Sequence, residues 1–254
     1  MIFPIDLIIA ACLLMWQEVL RYLVIFLINF SVTFPSILYH GVTSKYNQYT
    51  MLIDNTLPPG FHDVVVFVHG IDGSPVEFKT MMRELKNRNI PYKMMTVDFG
   101  SNAGKTINEE IDIINQTLQA QWTKIKTIHF VGVSKGGVDC LSYVKKYPQK
   151  VKSIITISSP VNGSKIALYQ PLYPMASKEL GYGADTFKDL ITAPPQYKLF
   201  HIVPTWDHLI QPTECAKTQY GRTYTYTGYY SHVGIMYAPE VINIVHNELV
   251  TCPM

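Results

Sequence analysis

Hydrophobic and polar positions alternate in blocks from residue 64 onward. Val64 to Val68 is an unbroken β-branched and aromatic run, the pattern of a strand covered on both faces, and it ends at His69-Gly70. Ser74, Pro75 and Glu77 then form a helix start, with a capping hydroxyl, a proline in the first turn and a carboxylate three residues after the cap. Phe78, Met81, Met82 and Leu85 supply that helix's apolar face. A second unit follows: Tyr92 to Phe99 reads as strand, and Thr106 with Glu109 makes a capping box ahead of Ile107, Ile111, Ile114 and Leu118. A third runs from Thr127 to Val133 through a glycine-rich turn into a helix carrying Val138, Leu141 and Val144. Ser153 to Ile157, Tyr197 to Val203 and Thr223 to Gly228 read as further strands, and Pro239 to Leu249 as a closing helix. Such alternation predicts an α/β fold with a mostly parallel sheet and helices on both faces. Pro160 to Gln196, rich in Tyr, Pro and Gly without clear periodicity, is expected to form a short cap over the sheet.

The first forty residues are different. Between Leu7 and Tyr39 only Glu18 and Arg21 are acids or strong bases, and residues 22 to 39 contain no Asp, Glu, Lys or Arg. That length reaches the lower end of a membrane-spanning helix, although Asn29, Ser31 and Pro35 interrupt it. The first basic residue comes only after the apolar run from Leu7 to Trp16, which disfavours a cleaved secretory leader. Residues 1–40 are therefore expected to be an apolar helical segment that attaches the protein to a membrane, with residues 41–254 as the α/β domain. Packing of the segment onto the protein itself is the alternative.

Composition narrows the function classes. With 48% hydrophobic residues among 254 the chain can build a large core. Twenty-one Lys and Arg against 19 Asp and Glu, spread along the sequence, supply no basic stripe, so nucleic acid is not an expected partner. Cys12, Cys140, Cys215 and Cys252 lack zinc-site spacing, and neither a ligand cluster nor a phosphate-binding glycine loop appears, so no metal or organic cofactor is expected. Cys215 and Cys252 are either a disulfide pair or free thiols.

The chemistry centres on Gly132-Val133-Ser134-Lys135-Gly136, a Gly-x-Ser-x-Gly set between a strand and a helix. Glycines two residues to either side remove Cβ atoms where backbone must pass close, which allows a sharp turn that lifts the hydroxyl clear of the sheet. A serine hydroxyl needs a base and a group to orient it. Asp207, just beyond a strand end, and His232, before the closing helix, follow in the chain order Ser, Asp, His. His62, His129 and His201 lie in or beside strands, His246 lies in the last helix, and His69 and His208 lie at strand ends. Among acids, Asp185 looks like a helix cap and Asp98 like a loop ligand for backbone amides.

With these motifs the chain resembles the α/β-hydrolase superfamily, and within it the compact triacylglycerol lipases. His69-Gly70-Ile71-Asp72-Gly73-Ser74 is similar to the lipase oxyanion segment, Gly136-Gly137-Val138-Asp139 to the stretch after the nucleophile, and Ser158-Ser159-Pro160 with Gly163-Ser164 to the segment ending the next strand. The resemblance runs from about Val64 to Leu249. It departs from the lipase pattern at Val133, where histidine is frequent, and at Lys135, where methionine, glutamine or leucine is commoner; the Lys135 side chain is expected in solvent. The resemblance implies an oxyanion hole made by the backbone amides of Ile71 and Lys135. It also implies an esterase or lipase acting on lipid or small esters. A tethered scaffold without turnover, a lipid acyltransferase and a thioesterase are the alternatives.

Overall fold

The computed structural model describes residues 16, 20, 55–100, 104–165, 167, 174–228, 230, 232 and 234–251. Apart from Trp16 and Leu20, both helical, the apolar leader lies outside the described residues, as do Cys12 and Cys252. Among the described residues no helix is long and apolar enough to cross a membrane. Backbone contacts divide the chain into Met1–Asn47 and Gln48–Met254.

The second unit is built on six strands, β1 (His62–Val68), β2 (Lys93–Thr96), β3 (Ile125–Val133), β4 (Val151–Ile157), β5 (Lys198–Pro204) and β6 (Arg222–Tyr226). They lie in the order β2-β1-β3-β4-β5-β6, and every pairing is parallel. The helices are α1 (Lys79–Asn87), α2 (Ile107–Gln119), α3 (Lys135–Lys146), α4 (Pro174–Leu180), α5 (Asp185–Lys188) and α6 (Pro239–Val250). The period-2 alternation of a strand divides β1 between two cores. Val64, Val66 and Val68 pack with Ile111 and Leu118 of α2 and Val138 and Leu141 of α3. Val65 and Phe67 pack with Met81 and Leu85 of α1 and Val241 and Val245 of α6. Helices thus cover both faces, which is why the strands read as continuous apolar runs.

The two capping boxes read from the sequence fare differently. At α2 both halves form: Thr106 Oγ1 accepts from the Glu109 amide at 3.2 Å and Glu109 Oε2 accepts from the Thr106 amide at 2.7 Å. At Ser74 the chain enters a 3₁₀ turn, Pro75–Phe78, before α1, and the Glu77 amide donates to the Ser74 carbonyl at 3.1 Å. The donor that the Ser74 hydroxyl would have taken is already used, so only the return bond, from the Ser74 amide to the Glu77 carboxylate, remains. The second strand is also shorter than Tyr92 to Phe99. Beyond Thr96 the chain keeps one sheet bond, Val97 amide to Phe67 carbonyl at 3.0 Å, and Asp98 Oδ1 then accepts from the Gly100 amide at 2.8 Å.

Candidate active site

Ser134 sits between β3 and α3 with φ 54°, ψ −128°, the left-handed φ that a non-glycine residue adopts only when its surroundings hold it there. The flanking glycines explain the hold. A Cβ on Gly136 would lie 2.2 Å from the Val68 carbonyl oxygen, and one on Gly132 would lie 2.6 Å from backbone atoms of Gly136 and Gly137. The β1 end, the turn and the first turn of α3 are therefore packed backbone to backbone, and Ser134 stands at the crest.

The parallel topology brings the chosen histidine and aspartate to this crest. His232 Nε2 lies 2.8 Å from Ser134 Oγ, and His232 Nδ1 lies 2.7 Å from Asp207 Oδ2. Asp207 is buried beyond the C-terminal end of β5, and its Oδ1 accepts from the backbone amides of Leu209 at 2.8 Å and Ile210 at 3.0 Å. Burial alone would raise this carboxyl. The charge and hydrogen bond of His232, the Ser158 hydroxyl and the Leu209 amide outweigh burial and hold it down at about 2, so the group is a carboxylate at any physiological pH.

The other described histidines lie elsewhere or make other contacts. His129 Nδ1 meets Ser153 Oγ at 2.7 Å, His201 Nδ1 meets Thr156 Oγ1 at 2.8 Å, and burial lowers both rings to about 4. His62 bonds the Pro58 carbonyl, and His246, half-buried, lies with its Nδ1 3.2 Å from Asn247 Oδ1. His208 stacks on Trp206 and presents an edge contact to His232, with ring centroids 6.2 Å apart. Asp185 is the first residue of α5, after the Ala184 cap, and pairs with Lys188 in the open.

His69 has a positional task. Its Nδ1 donates to the Gly70 carbonyl at 2.9 Å and its Nε2 accepts from the Phe99 amide at 3.4 Å, one tautomer satisfying both bonds; burial keeps the ring below its ordinary 6.5 and neutral. This fixes the loop carrying Ile71 against Ser134: a Cβ on Gly70 would fall 2.9 Å from Ser134 Cβ. Glu77 closes the far side of the same loop, within 2.9 Å of the place a Gly73 Cβ would occupy.

Burial pushes the Glu77 carboxyl from its ordinary 4.5 up to about 7, the Ser74 amide opposing it. A raised folded pKa means that the folded chain binds the proton more tightly than the unfolded chain. The group therefore favours folding below about 4.5, and that contribution is withdrawn as the pH rises to about 7. Glu77→Gln is expected to raise unfolding free energy at pH 8 by up to about 3 kcal/mol and to change little at pH 4, read from urea denaturation at the two pH values. An equal effect at both would show that folding leaves the titration of this carboxyl unshifted.

One sequence expectation is overturned. The Lys135 side chain does not reach solvent: it is 2% exposed, its Nζ is hydrogen-bonded to Glu110 of α2, and Asp139 Oδ1 lies 3.6 Å away, one turn along α3. Glu110 and Asp139 are fully buried too. Nothing in the local pattern names Glu110, which is brought to Lys135 by the packing of α2 on α3. Cys140 and Cys215 are free buried thiols. Among the described residues no cluster of His, Cys, Asp and Glu could hold a metal ion.

The parallel sheet, its helical layers and the strand-serine-helix turn define an α/β-hydrolase fold. Within it the chain belongs to the palmitoyl protein thioesterase family, whose model matches residues 64–230. Solved structures with this fold include lipase B of Aspergillus fumigatus (14% identity, TM-score 0.59, covering 76% of this chain and 55% of that one). Bacillus licheniformis lipase BlEst2 in mature form aligns at 19% identity and TM-score 0.56, over 76% of this chain and 94% of that one. Monoacylglycerol lipase of Paleococcus ferrophilus aligns at 16% and 0.53, over 76% and 97%. The chain thus spans just over half the length of the Aspergillus enzyme. No curated protein sequence matches it.

Proposed function

We propose that the protein is a serine hydrolase of lipid acyl esters acting through Ser134, His232 and Asp207. The observation that carries this reading is the unbroken hydrogen-bond chain from Ser134 Oγ through both ring nitrogens of His232 to a buried carboxylate. Ser134 Oγ forms a bond to the acyl carbon while its proton passes to His232 Nε2. The negative charge gathers on the carbonyl oxygen, where the amides of Ile71 and Lys135 and the N-terminus of α3 receive it. The bond to the leaving group then breaks, and His232 returns the proton to it. Water adds to the acyl-enzyme with the proton again taken at His232, and Ser134 is released. The family match favours a thioester form of the same chemistry, in which a C–S bond breaks and a thiol leaves.

The apolar leader gives the proposal a place of action. Residues 1–40 would hold the hydrolase at a membrane, where long acyl chains reside. One experiment tests both parts. A fluorophosphonate probe should label the full-length chain at Ser134, lose that label in Ser134→Ala, and follow the membrane fraction unless residues 1–40 are removed. Long-chain acyl esters and thioesters should protect against labelling better than short soluble esters. A folded protein that never takes the probe would leave the scaffold reading in its place.

A further inference from the structure

Ser158 is a residue the triad description does not use. It follows β4, is fully buried, and is held at φ 48° with its amide on the Ile202 carbonyl at 2.9 Å. Its hydroxyl donates to Asp207 Oδ2, the oxygen that also faces His232 Nδ1, and its Oγ stands 3.5 Å from that same ring nitrogen.

Counting lone pairs shows what the contact does. A carboxylate offers about four acceptor positions. On Asp207 the Leu209 and Ile210 amides take Oδ1, while His232 and Ser158 take Oδ2. None is left for a rotated carboxylate or a second ring orientation. The hydroxyl's own oxygen backs the Nδ1 proton from a second side, so the neutral ring keeps its proton on Nδ1 and leaves Nε2 open toward Ser134. Among the described residues the groups facing the His232 ring are Ser134, Asp207, Ser158 and His208, and of these Ser158 bonds the carboxylate while flanking the ring.

We infer that Ser158 is a positioning residue for the Asp207–His232 pair: it shares the charge of Asp207 Oδ2 and fixes the imidazole tautomer. The inference rests on the proposed function, in which His232 is the base. Removing the hydroxyl leaves more negative charge on Oδ2 facing the ring, which favours the protonated imidazole.

Ser158→Ala is therefore expected to lower kcat about tenfold with KM nearly unchanged, the effect of one lost charge-assisted hydrogen bond. It should also move the acid limb of kcat/KM to higher pH by about half a unit or more. The titration of the His232 Nδ1 proton resonance should move in the same direction. Should the alanine variant not fold, Ser158→Gly removes the hydroxyl and also relieves the left-handed φ. A folded variant with wild-type pH profile and unshifted resonance overturns the inference. The resonance is read without substrate, so it decides the role of Ser158 even in a protein whose Ser134 takes no phosphonate; that second result would instead remove the proposed function.

Discussion

Asp207→Asn is expected to lower kcat by about four orders of magnitude while the protein stays folded. The size follows from which end of the new amide can face the histidine. Oδ1 of Asp207 accepts from two backbone amides, Leu209 and Ile210, that do not move when the side chain is changed. The oxygen of the substituted carboxamide must take that end, since an NH₂ there would set donor against donor twice. The NH₂ then faces His232 Nδ1, where Asp207 Oδ2 now lies at 2.7 Å. To meet a donor, Nδ1 must give up its proton, which moves to Nε2. There it points at Ser134 Oγ, 2.8 Å away, and the base is blocked. The Ser158 oxygen still faces Nδ1, but at 3.5 Å the contact is too long to outweigh the donor now set against the ring. Steady-state kinetics with thermal unfolding on the same sample checks this. A fall of less than tenfold in a folded variant would mean that His232 is held in register without Asp207.

How much of this was legible depends on how local each determinant is. The strands around the site were readable because they are covered on both faces, so Val64–Val68 and Ile128–Val133 run almost without polar breaks. The Gly-x-Ser-x-Gly turn was readable because a left-handed serine and two close backbone approaches leave a fixed spacing in sequence. The order of Ser134, Asp207 and His232 followed from where strands end. The roles of Ser158 and Lys135 were not readable in this way. Ser158-Ser159-Pro160 stood out as a motif, but the bond from Ser158 to Asp207 depends on β4 and β5 being neighbours, with the contact made beyond their ends. A Ser–Glu pair at the right spacing, Ser74 and Glu77, formed only half a box, because the turn type decides which amide remains free, and sequence spacing does not reveal turn type.

Lys135 shows the same limit with a larger energetic consequence. Glu110→Ala is expected to destabilise the protein by about 3–5 kcal/mol, the range for breaking a buried ion pair by removing one partner. Glu110, Lys135 and Asp139 are all excluded from water, with one cation between two carboxyls. Burial pushes Asp139 up to about 6 against the pull of Lys135, so this carboxylate already meets a desolvation penalty near neutral pH. Without Glu110 the ion pair left to the ammonium among the described residues is Asp139, at 3.6 Å, beyond hydrogen-bond length. The comparison that isolates the cause is the variant Glu110→Leu, Lys135→Met, Asp139→Leu. It removes all three charges together and should be far less destabilised than Glu110→Ala despite having more substitutions, because no buried charge is left without a partner. Urea denaturation of the two variants decides it; similar losses in both would mean that packing volume rather than charge governs this layer. The cluster also bears on the site, because Lys135 supplies a proposed oxyanion amide and its side chain ties the first turn of α3 to α2. A charge set that contributes little net stability can still fix where that amide points, a division of labour consistent with a cation in a position where lipases commonly carry an uncharged side chain.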